Sequence, residues 1–267
     1  MTGSPPGPPL GGPKSGGGAA LAPDPALVAA AAMVFVADPR APVVTDEDAH
    51  HLLDVLRLRS GEPVAACDGA GTWVPCRVGP VNGRGARHSD TTTLLIPDGP
   101  PVTVERMRPE ITVAFTPTKG DRPEWVVQKL TELGVDRIVP LQTSRSVVRW
   151  EGERAIKSVD RLARVAREAA AQCRRIWLPE VAPVTRLDGV ADLCGTPPAL
   201  ADWGGPPPSL LRPVVAVGPE GGWSEEERAT FGPGLGLGPT VLRAETAALA
   251  AGALLCGLRC GVVADLA

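Results

Sequence analysis

The alternation of short apolar segments with longer amphipathic segments between residues 108 and 264 constrains the fold more than any other feature. Segments of the first kind have the length of buried strands, and segments of the second kind repeat apolar residues at helical spacing. An alternating order of strands and helices produces a mainly parallel sheet covered by helices, so we predict an α/β fold. The predicted strands are 111–117, 136–142, 198–201, 214–218 and 235–238, and the predicted helices are 123–133, 153–173, 224–231 and 246–259.

The residues before this region divide into two parts. Residues 1–31 consist mostly of Pro, Gly and Ala, and such a segment buries too little surface to offset the entropy lost on ordering, so we predict a disordered tail. Residues 32–105 contain short apolar runs separated by glycines, which predicts a small β-rich domain. Within it, Thr45 followed by acidic residues predicts a helix over 46–57. Residues 106–267 then form the second domain.

The sequence GPEGG at 218–222 follows an apolar run and precedes Ser224 and three acidic residues, which are typical of a helix N-terminus. In open α/β sheets, ligands bind beyond the C-terminal ends of strands, where glycine lets a ligand approach the backbone. The loop is neither a G-x-G-x-x-G fingerprint nor a G-x-x-x-x-G-K-[ST] phosphate loop, which disfavours a nucleotide-binding hydrolase. From the residues alone, a ligand-binding loop and an ordinary strand-to-helix turn both stay open.

Two charged residues interrupt the apolar sequence LGPTVLRAETAALAAGALL at 237–255. Arg243 and Glu245 lie between apolar runs, where charges are costly unless they are paired or used. They are therefore candidates for a functional site. The alternative is that they pair with each other or cap the helix that follows.

Positive charge is concentrated in one part of a chain whose net charge is −3. Residues 137–175 contain ten Arg or Lys and four Asp or Glu, and the helix predicted there has a basic side opposite an apolar side. A basic face is typical of nucleic-acid binding, although a solvated helix face has the same pattern. Aromatic residues make up only 3% of the chain, so RNA binding here would depend on charge and shape more than on base stacking.

The six Cys and three His show no metal-binding spacing, and none of the Cys belongs to a C-x-x-C pair. We therefore expect reduced thiols, a cytoplasmic protein and no metal. Pro23, Asp24 and Pro25 interrupt the approach to the apolar run 26–37, which argues against a signal peptide. The apolar run 246–258 is too short to cross a bilayer, so no membrane is expected.

Four motifs in one order resemble the RsmE family, whose members are SPOUT-class methyltransferases that modify N3 of a uridine in 16S ribosomal RNA. The two C-terminal loops of that family are similar to VGPEGGWSEEE and LGPTVLRAETA. Two further stretches match the family pattern, KGDRPEWVVQKLTELGVDRIVPLQTSRSVV and HLLDVLRLRSGEPVAACDGAGTWVPCRV. The resemblance extends over residues 33–260, and the four motifs in order make it specific.

The resemblance implies a fold and a cofactor. Residues 32–105 would form a PUA-like β-barrel that docks RNA, and residues 106–267 a SPOUT domain with a trefoil knot, an exception to the rule that chains are unknotted. The knot would hold S-adenosyl-L-methionine (SAM) at a homodimer interface. One further family loop maps to ALADWG at 199–204, which has Asp202 and Trp203 where the family often carries a His-Glu pair. The residues implied to bind SAM are Leu200, Gly218, Glu220, Gly221, Leu237, Gly238, Val241 and Leu242.

Methylation of uridine N3 requires removal of its proton or stabilisation of the negative charge on O2 and O4. Arg243 is our candidate for stabilising that charge, and Glu245 for accepting the proton or positioning Arg243. The expected partner is 16S ribosomal RNA or the assembled small subunit. Ribose 2′-O-methylation by another SPOUT enzyme and an RNA-binding or ribosome-assembly protein without catalysis stay open as alternatives. The residues expected to contact RNA phosphates are Arg57, Arg59, Lys119, Arg122, Arg154, Lys157, Arg161 and Arg164.

Overall fold

The computed structural model describes residues 24–80, 94–232 and 234–264. Two β-sheets form its framework. The first sheet has five strands: β1 (Ala32–Phe35), β2 (Pro63–Cys67), β3 (Thr72–Val78), β4 (Leu95–Pro97) and β5 (Val102–Thr103). β1 and β2 run parallel, and every other pairing in this sheet is antiparallel.

One helical segment covers the first sheet. The helix Asp46–His50 continues into a π-helical turn at His51–Val55, close to the helix predicted over 46–57. As predicted, Thr45 caps it, because its hydroxyl accepts a hydrogen bond from the backbone N–H of Asp48 at 3.1 Å. Apolar side chains of this segment are buried in one core with side chains of β1, β2 and β3.

The second sheet has six strands, and all of its pairings are parallel, which confirms the predicted α/β class. Its strands are β6 (Thr112–Phe115), β7 (Arg137–Gln142), β8 (Glu180–Val181), β9 (Thr185–Arg186), β10 (Ala199–Leu200) and β11 (Val214–Val217). In the sheet, β7 and then β8 lie on one side of β6, and β11 and then β10 lie on its other side. The chain therefore builds one side of the sheet first and then crosses over β6 to build the other. Ligands bind open α/β sheets where the strand order reverses in this way.

Helices cover both faces of the second sheet. Val113 and Phe115 of β6 face a core shared with three long helices, whereas Ala114 between them faces a second core that contains Trp223. This alternation is the two-residue period of a strand buried on both sides. In chain order the helices of the protein are α1 (Pro25–Ala29), α2 (Asp46–His50), α3 (Arg122–Leu133), α4 (Gly152–Gln172), α5 (Val190–Cys194), α6 (Glu225–Phe231) and α7 (Ala244–Arg259).

Two predictions were wrong. The segment 1–31 was predicted to be disordered, and this is wrong for its last part, where α1 is helical and buries Leu27; residues 1–23 lie outside the described part of the chain. A strand was predicted at 235–238, but only an isolated bridge forms there, between Ala201 and Leu235. Glycines on both sides of Leu235 allow a closer backbone approach than a regular strand would make.

α4 joins the two sheets. Arg167 of α4 donates a hydrogen bond to the carbonyl oxygen of Phe35 at 2.9 Å, and its guanidinium lies 4.9 Å from the centre of the Phe35 ring. Arg174 donates to the carbonyl oxygen of Ala30 at 2.8 Å. A cluster of buried apolar side chains from both parts of the chain fills the junction. The first sheet is therefore held in a fixed position beside α4.

Across the described ranges, no helix combines the length and the apolar surface needed to cross a bilayer.

Candidate functional site

The loop 218–222 is held between two well-defined elements. β11 before it is buried throughout, and α6 after it begins with a capping box. In that box the Ser224 hydroxyl accepts a hydrogen bond from the Glu227 backbone N–H at 3.1 Å, while the Glu227 carboxylate accepts one from the Ser224 N–H at 2.8 Å. The predicted cap at Ser224 is thus present, and both ends of the loop are fixed.

Two arginines bind carbonyl groups in this loop and directly after it. Arg145 Nη1 donates to the carbonyl oxygen of Gly221 at 2.9 Å and to that of Trp223 at 3.1 Å. Arg228 Nη1 donates to the same Trp223 oxygen at 2.9 Å. Sequence reasoning missed Arg145, because it lies 76 residues before Gly221 in the chain and only the fold brings the two together.

Trp223 connects this loop to the end of β10. Its ring is buried, and its indole N–H donates to the carbonyl oxygen of Ala201 at 2.9 Å. A Cβ atom at Gly218 would lie 3.1 Å from the Trp223 ring, which is tighter than nine in ten real contacts. Glycine at 218 therefore lets the backbone pass directly over the ring. Sequence reasoning also missed this role of Trp223.

Backbone hydrogen bonds bring a third segment to the same place. The Asp202 N–H donates to the carbonyl oxygen of Leu235 at 3.0 Å, and the Leu235 N–H donates to that of Leu200 at 2.6 Å. A Cβ atom at Gly205 would lie 2.7 Å from the Gly234 carbonyl carbon, so these two backbones are in direct contact. The residues that follow Leu235 are thereby placed opposite the loop 218–222.

The three segments surround a cavity of about 180 Å³ at the C-terminal ends of β10 and β11. Leu200 is buried directly before Ala201, and Gly221 lies beside Arg145, so these two predicted cofactor residues support the cavity without lining it. The structure adds Asp202, which sequence reasoning did not assign. Six of the eight residues predicted to bind SAM line the cavity: Gly218, Glu220, Leu237, Gly238, Val241 and Leu242.

An ion pair stabilises the wall formed by Asp202. Arg228 Nε lies 2.6 Å from one Asp202 oxygen, and Arg228 Nη2 lies 3.3 Å from the other. This paired hydrogen bonding lowers the pKa of Asp202 and raises that of Arg228. Burial alone would raise the pKa of Glu227, but hydrogen bonds from the backbone N–H groups of Ser144 and Ser224 hold it below its usual value. Both carboxylates are therefore charged at neutral pH.

Arg243 and Glu245 lie next to the cavity but do not pair with each other. Arg243 is the exposed N-cap residue of α7, and its side chain caps no backbone group. Glu245 is mostly buried, with 14% of its side chain exposed, and its Oε1 atom lies 3.3 Å from Arg122 Nη1. The Glu245 Oε2 atom is buried and accepts no hydrogen bond from any residue that the structure describes. Pairing between the two candidates was one alternative from the sequence, and this alternative was wrong.

A basic groove of about 800 Å³ runs along α4. The buried residues of α4 begin at Leu162, so its N-terminal half is free to line the groove. Acids neutralise part of this charge, since Lys157 lies 2.7 Å from Glu153 and Arg161 pairs with Glu124. Five of the residues predicted to bind RNA line the groove: Lys119, Arg154, Lys157, Arg161 and Arg164.

The other three predicted RNA-binding residues lie elsewhere. Arg122 is bound to Glu245, as described above. Arg57 and Arg59 are exposed in the loop between the π-helical turn and β2. Arg57 has a φ of +57°, a left-handed conformation that is uncommon for a residue with a side chain and often marks a functional position.

Within residues 24–80, 94–232 and 234–264, no cluster of His, Cys, Asp and Glu has the composition of a metal site.

Comparisons with known proteins agree with this geometry. An RNA methyltransferase domain model matches residues 105–256, and an RNA methyltransferase PUA domain model matches residues 44–86. The first match covers more than half of the chain, including both loops and the basic groove. The parallel sheet with its converging loops thus defines the class of the protein, the RNA methyltransferases.

Individual relatives define the family. The ribosomal RNA small subunit methyltransferase E of Bacillus subtilis is 31% identical over 227 residues, 77% of this chain and 86% of the relative. The Neisseria gonorrhoeae protein of the same name, solved with SAM bound, is 25% identical with a TM-score of 0.68, over 85% of this chain and 97% of that one. A Legionella pneumophila methyltransferase in complex with SAM is 27% identical with a TM-score of 0.68, over 84% and 96%. The chain belongs to the ribosomal RNA small subunit methyltransferase E family.

Proposed function

We propose that this protein transfers a methyl group from SAM to N3 of a uridine in 16S ribosomal RNA. One observation carries the proposal: loops that are distant in sequence converge on one cavity, and a basic groove lies on the same domain. The loops contain most of the residues expected to bind SAM. The relatives that share this architecture are named as small subunit ribosomal RNA methyltransferases.

The cavity residues fit SAM chemically. SAM carries a positive sulfonium and a positive amino group at one end and a flat adenine ring at the other, and the cavity offers the acids Asp202 and Glu220 as well as the apolar Leu237, Val241 and Leu242. Gly218 and Gly238 leave backbone groups accessible to a ligand. SAM supplies a methyl group that is already activated, so the protein contributes mainly orientation.

Arg243 and Glu245 are the proposed catalytic residues. Uridine N3 carries a proton and is a poor nucleophile while it is neutral. Arg243 stabilises the negative charge on O2 and O4 as the proton leaves, because it is exposed and follows the cavity residue Leu242. Glu245 accepts the proton on Oε2, which accepts no hydrogen bond from the described residues, and it is positioned by Arg122. Because Glu245 pairs with Arg122, we do not assign it the alternative role of positioning Arg243.

The basic groove is the proposed binding site for RNA phosphates. Arg and Lys side chains neutralise phosphates without reading sequence, so they position the RNA and leave the choice of nucleotide to the cavity. Arg57 and Arg59 extend the binding surface onto the first domain, and Arg122 contributes through Glu245.

We further propose the finer features of the architecture. Residues 32–105 form a PUA-like barrel and residues 106–267 a SPOUT domain with a trefoil knot. A second copy of the chain completes the cavity, because about 180 Å³ is below the roughly 300 Å³ typical of small-molecule pockets and Val241 at its rim is 89% exposed. Six free thiols favour the reducing cytoplasm, where the ribosome is also found.

Methylation of RNA with labelled SAM tests the proposed function. Purified protein is incubated with 16S RNA and with small subunits, and the product nucleosides are identified by mass spectrometry. We expect 3-methyluridine, lost in Arg243→Ala although SAM binding is kept, and retained in the exposed control Arg186→Ala. A 2′-O-methylated nucleoside would favour the other SPOUT activity, and RNA binding without any methylation would favour the assembly protein.

A further inference from the structure

A large aromatic side chain stands uncovered at the mouth of the cavity. Trp203 follows β10 and lines the cavity, yet 73% of its surface is exposed. Trp223, which lines the same cavity, is only 2% exposed. Tryptophan is on average a strongly buried residue, because transfer of its large, mostly apolar ring out of water is favourable. A Trp that is exposed at a binding site therefore has surface to offer a ligand.

The backbone that carries Trp203 is fixed. Asp202 is held on one side by its backbone hydrogen bond to Leu235 at 3.0 Å and on the other by its two contacts with Arg228. The Trp203 N–H donates to an Asp202 oxygen at 3.0 Å. The exposure of the ring is thus a property of the fold at this position and does not come from an unanchored loop.

The ring itself spans the mouth of the cavity. Its Nε1 atom lies 3.4 Å from the carbonyl oxygen of Pro239, at the long end of the hydrogen-bond range. Pro239 lies between Gly238 and Thr240, which both line the opposite wall. A long hydrogen bond is easily given up, so the indole can turn on its fixed backbone when a ligand enters.

The surroundings of the ring decide which part of a ligand it would contact. The wall opposite contains the aliphatic side chains of Leu237, Val241 and Leu242, and among the described residues of the lining only Asp202 and Glu220 are charged. A flat aromatic base fits between an aliphatic wall and an indole, whereas a positively charged ammonium or sulfonium group is better placed beside the carboxylates.

We propose that Trp203 covers the purine ring of SAM and stacks on one of its faces. This inference rests on the proposed function, which supplies SAM as the ligand. The family pattern often has a His-Glu pair at the positions of Asp202 and Trp203, so the stacking contact is a feature of this chain. Stacking of a base on an aromatic side chain is worth about 1–3 kcal/mol, which corresponds to roughly a 5- to 150-fold change in affinity.

Binding of cofactor fragments tests this role without measuring methylation. Calorimetric titrations use S-adenosylhomocysteine, adenosine and methionine with the wild type, Trp203→Ala, Trp203→Leu and Trp203→Phe. We expect Trp203→Ala and Trp203→Leu to lower the affinity for S-adenosylhomocysteine and adenosine by about tenfold and to leave the affinity for methionine unchanged. The affinities of Trp203→Phe should stay within about threefold of the wild type. Trp125→Ala is the matched control, because Trp125 is 45% exposed on α3 and is absent from the cavity lining.

Tryptophan fluorescence gives a second readout. S-adenosylhomocysteine should change the emission of the wild type and of Trp125→Phe, and most of this change should be absent in Trp203→Phe. If the wild type and Trp203→Leu bound S-adenosylhomocysteine with equal affinity, the stacking role would be overturned. It would also be overturned if the variants lost the same affinity for methionine as for adenosine. A shift of Trp203→Ala from dimer to monomer in sedimentation would show that a second copy covers the ring, which also overturns it. If the wild type itself bound no S-adenosylhomocysteine, the proposed function would fail first.

Discussion

Gly238 shows how much of the cavity depends on single residues. Its φ is +146°, a conformation that residues with a side chain rarely adopt, and it lies between Leu237 and the loop that closes the cavity. A Cβ atom there would meet nothing within 4 Å. The requirement for glycine is therefore conformational rather than steric, in contrast to Gly218, where a Cβ atom would lie 3.1 Å from the Trp223 ring and the ring would have to shift.

We expect Gly238→Ala to weaken SAM binding about tenfold or more in calorimetry, because strain of roughly 1–3 kcal/mol at this position would be relieved by moving the loop. Gly61→Ala is the control. It has a φ of +88° with open space around it, but it lies in the turn before β2, in the first domain. It should reduce the free energy of unfolding by a similar amount and leave SAM binding unchanged. Normal SAM affinity in Gly238→Ala would contradict the assigned role of this loop.

The buried cysteines allow a prediction of how the rate of thiol labelling depends on pH. Burial raises the pKa of Cys67, Cys76 and Cys256 to about 11 in each case. The thiolate is the reactive form, so these thiols should stay protonated and react slowly with iodoacetamide at pH 8. Their labelling should accelerate as the pH approaches 11, and urea should expose all six cysteines at any pH. Fast labelling of Cys256 in the native protein, read by mass spectrometry, would contradict its burial.

At the scale of elements, one buried carboxylate ties the ends of three helices together. Asp136, just before β7, pairs with Arg259 at the end of α7 and lies 3.4 Å from Arg175 after α4. Arg175 also donates to the carbonyl oxygen of Thr131 near the end of α3 at 2.9 Å. The Asp136 carboxylate accepts a further hydrogen bond from the Ile111 N–H at 2.9 Å. Burial lowers the pKa of Arg175, although Asp136 favours its charged form.

We expect Asp136→Ala to reduce the free energy of unfolding by about 3–5 kcal/mol, since it leaves two arginines buried without their partner. Urea denaturation measures this. The control removes an exposed pair, Arg186 and Asp188, whose atoms lie 3.4 Å apart with most of both side chains in solvent. Asp188→Ala should cost less than about 1 kcal/mol. Similar costs for the two variants would show that the Asp136 cluster contributes little to stability.

The elements also show what the sequence can predict. α3 was predicted closely, because Pro123 at its start and Gly134 at its end are local signals. α1 was missed because the surrounding composition resembles a disordered tail, although Asp24 caps the helix and Pro25 begins it, which are local helix signals. In the cavity, the glycine and leucine residues of the two loops were found from motifs, whereas Arg145 acts across 76 residues of sequence and has no local signal.

At the scale of the whole molecule, the two groups of residues proposed to bind RNA lie on domains that pack against each other. Arg167 of α4 lies 3.9 Å from Asp48 of α2, so the groove along α4 and the segment with Arg57 and Arg59 are carried by packed elements. The net charge of −3 therefore does not argue against RNA binding, because affinity depends on the local distribution of charge.

Within the described part of the chain, some basic residues of the groove form ion pairs with acidic residues and others do not, and this difference leads to a prediction. Arg161 pairs with Glu124, whereas Arg164 forms no ion pair with the residues that the structure describes. Each phosphate contact contributes about 0.7 to 0.9 to the slope of log K against log salt concentration. Arg164→Ala should make the slope for 16S RNA less steep by about that amount. Arg161→Ala should have a smaller effect, because Glu124 already neutralises part of the Arg161 charge.

Filter binding between about 50 and 200 mM salt measures these slopes. Arg57→Ala should lower the slope independently of Arg164→Ala, and the double variant should show the sum, because the two side chains lie on different domains and share no partner. Arg186→Ala is the control for an exposed arginine outside the groove, and its slope should equal that of the wild type. A slope unchanged in both Arg57→Ala and Arg164→Ala would mean that the RNA follows another surface, even if methylation itself were confirmed.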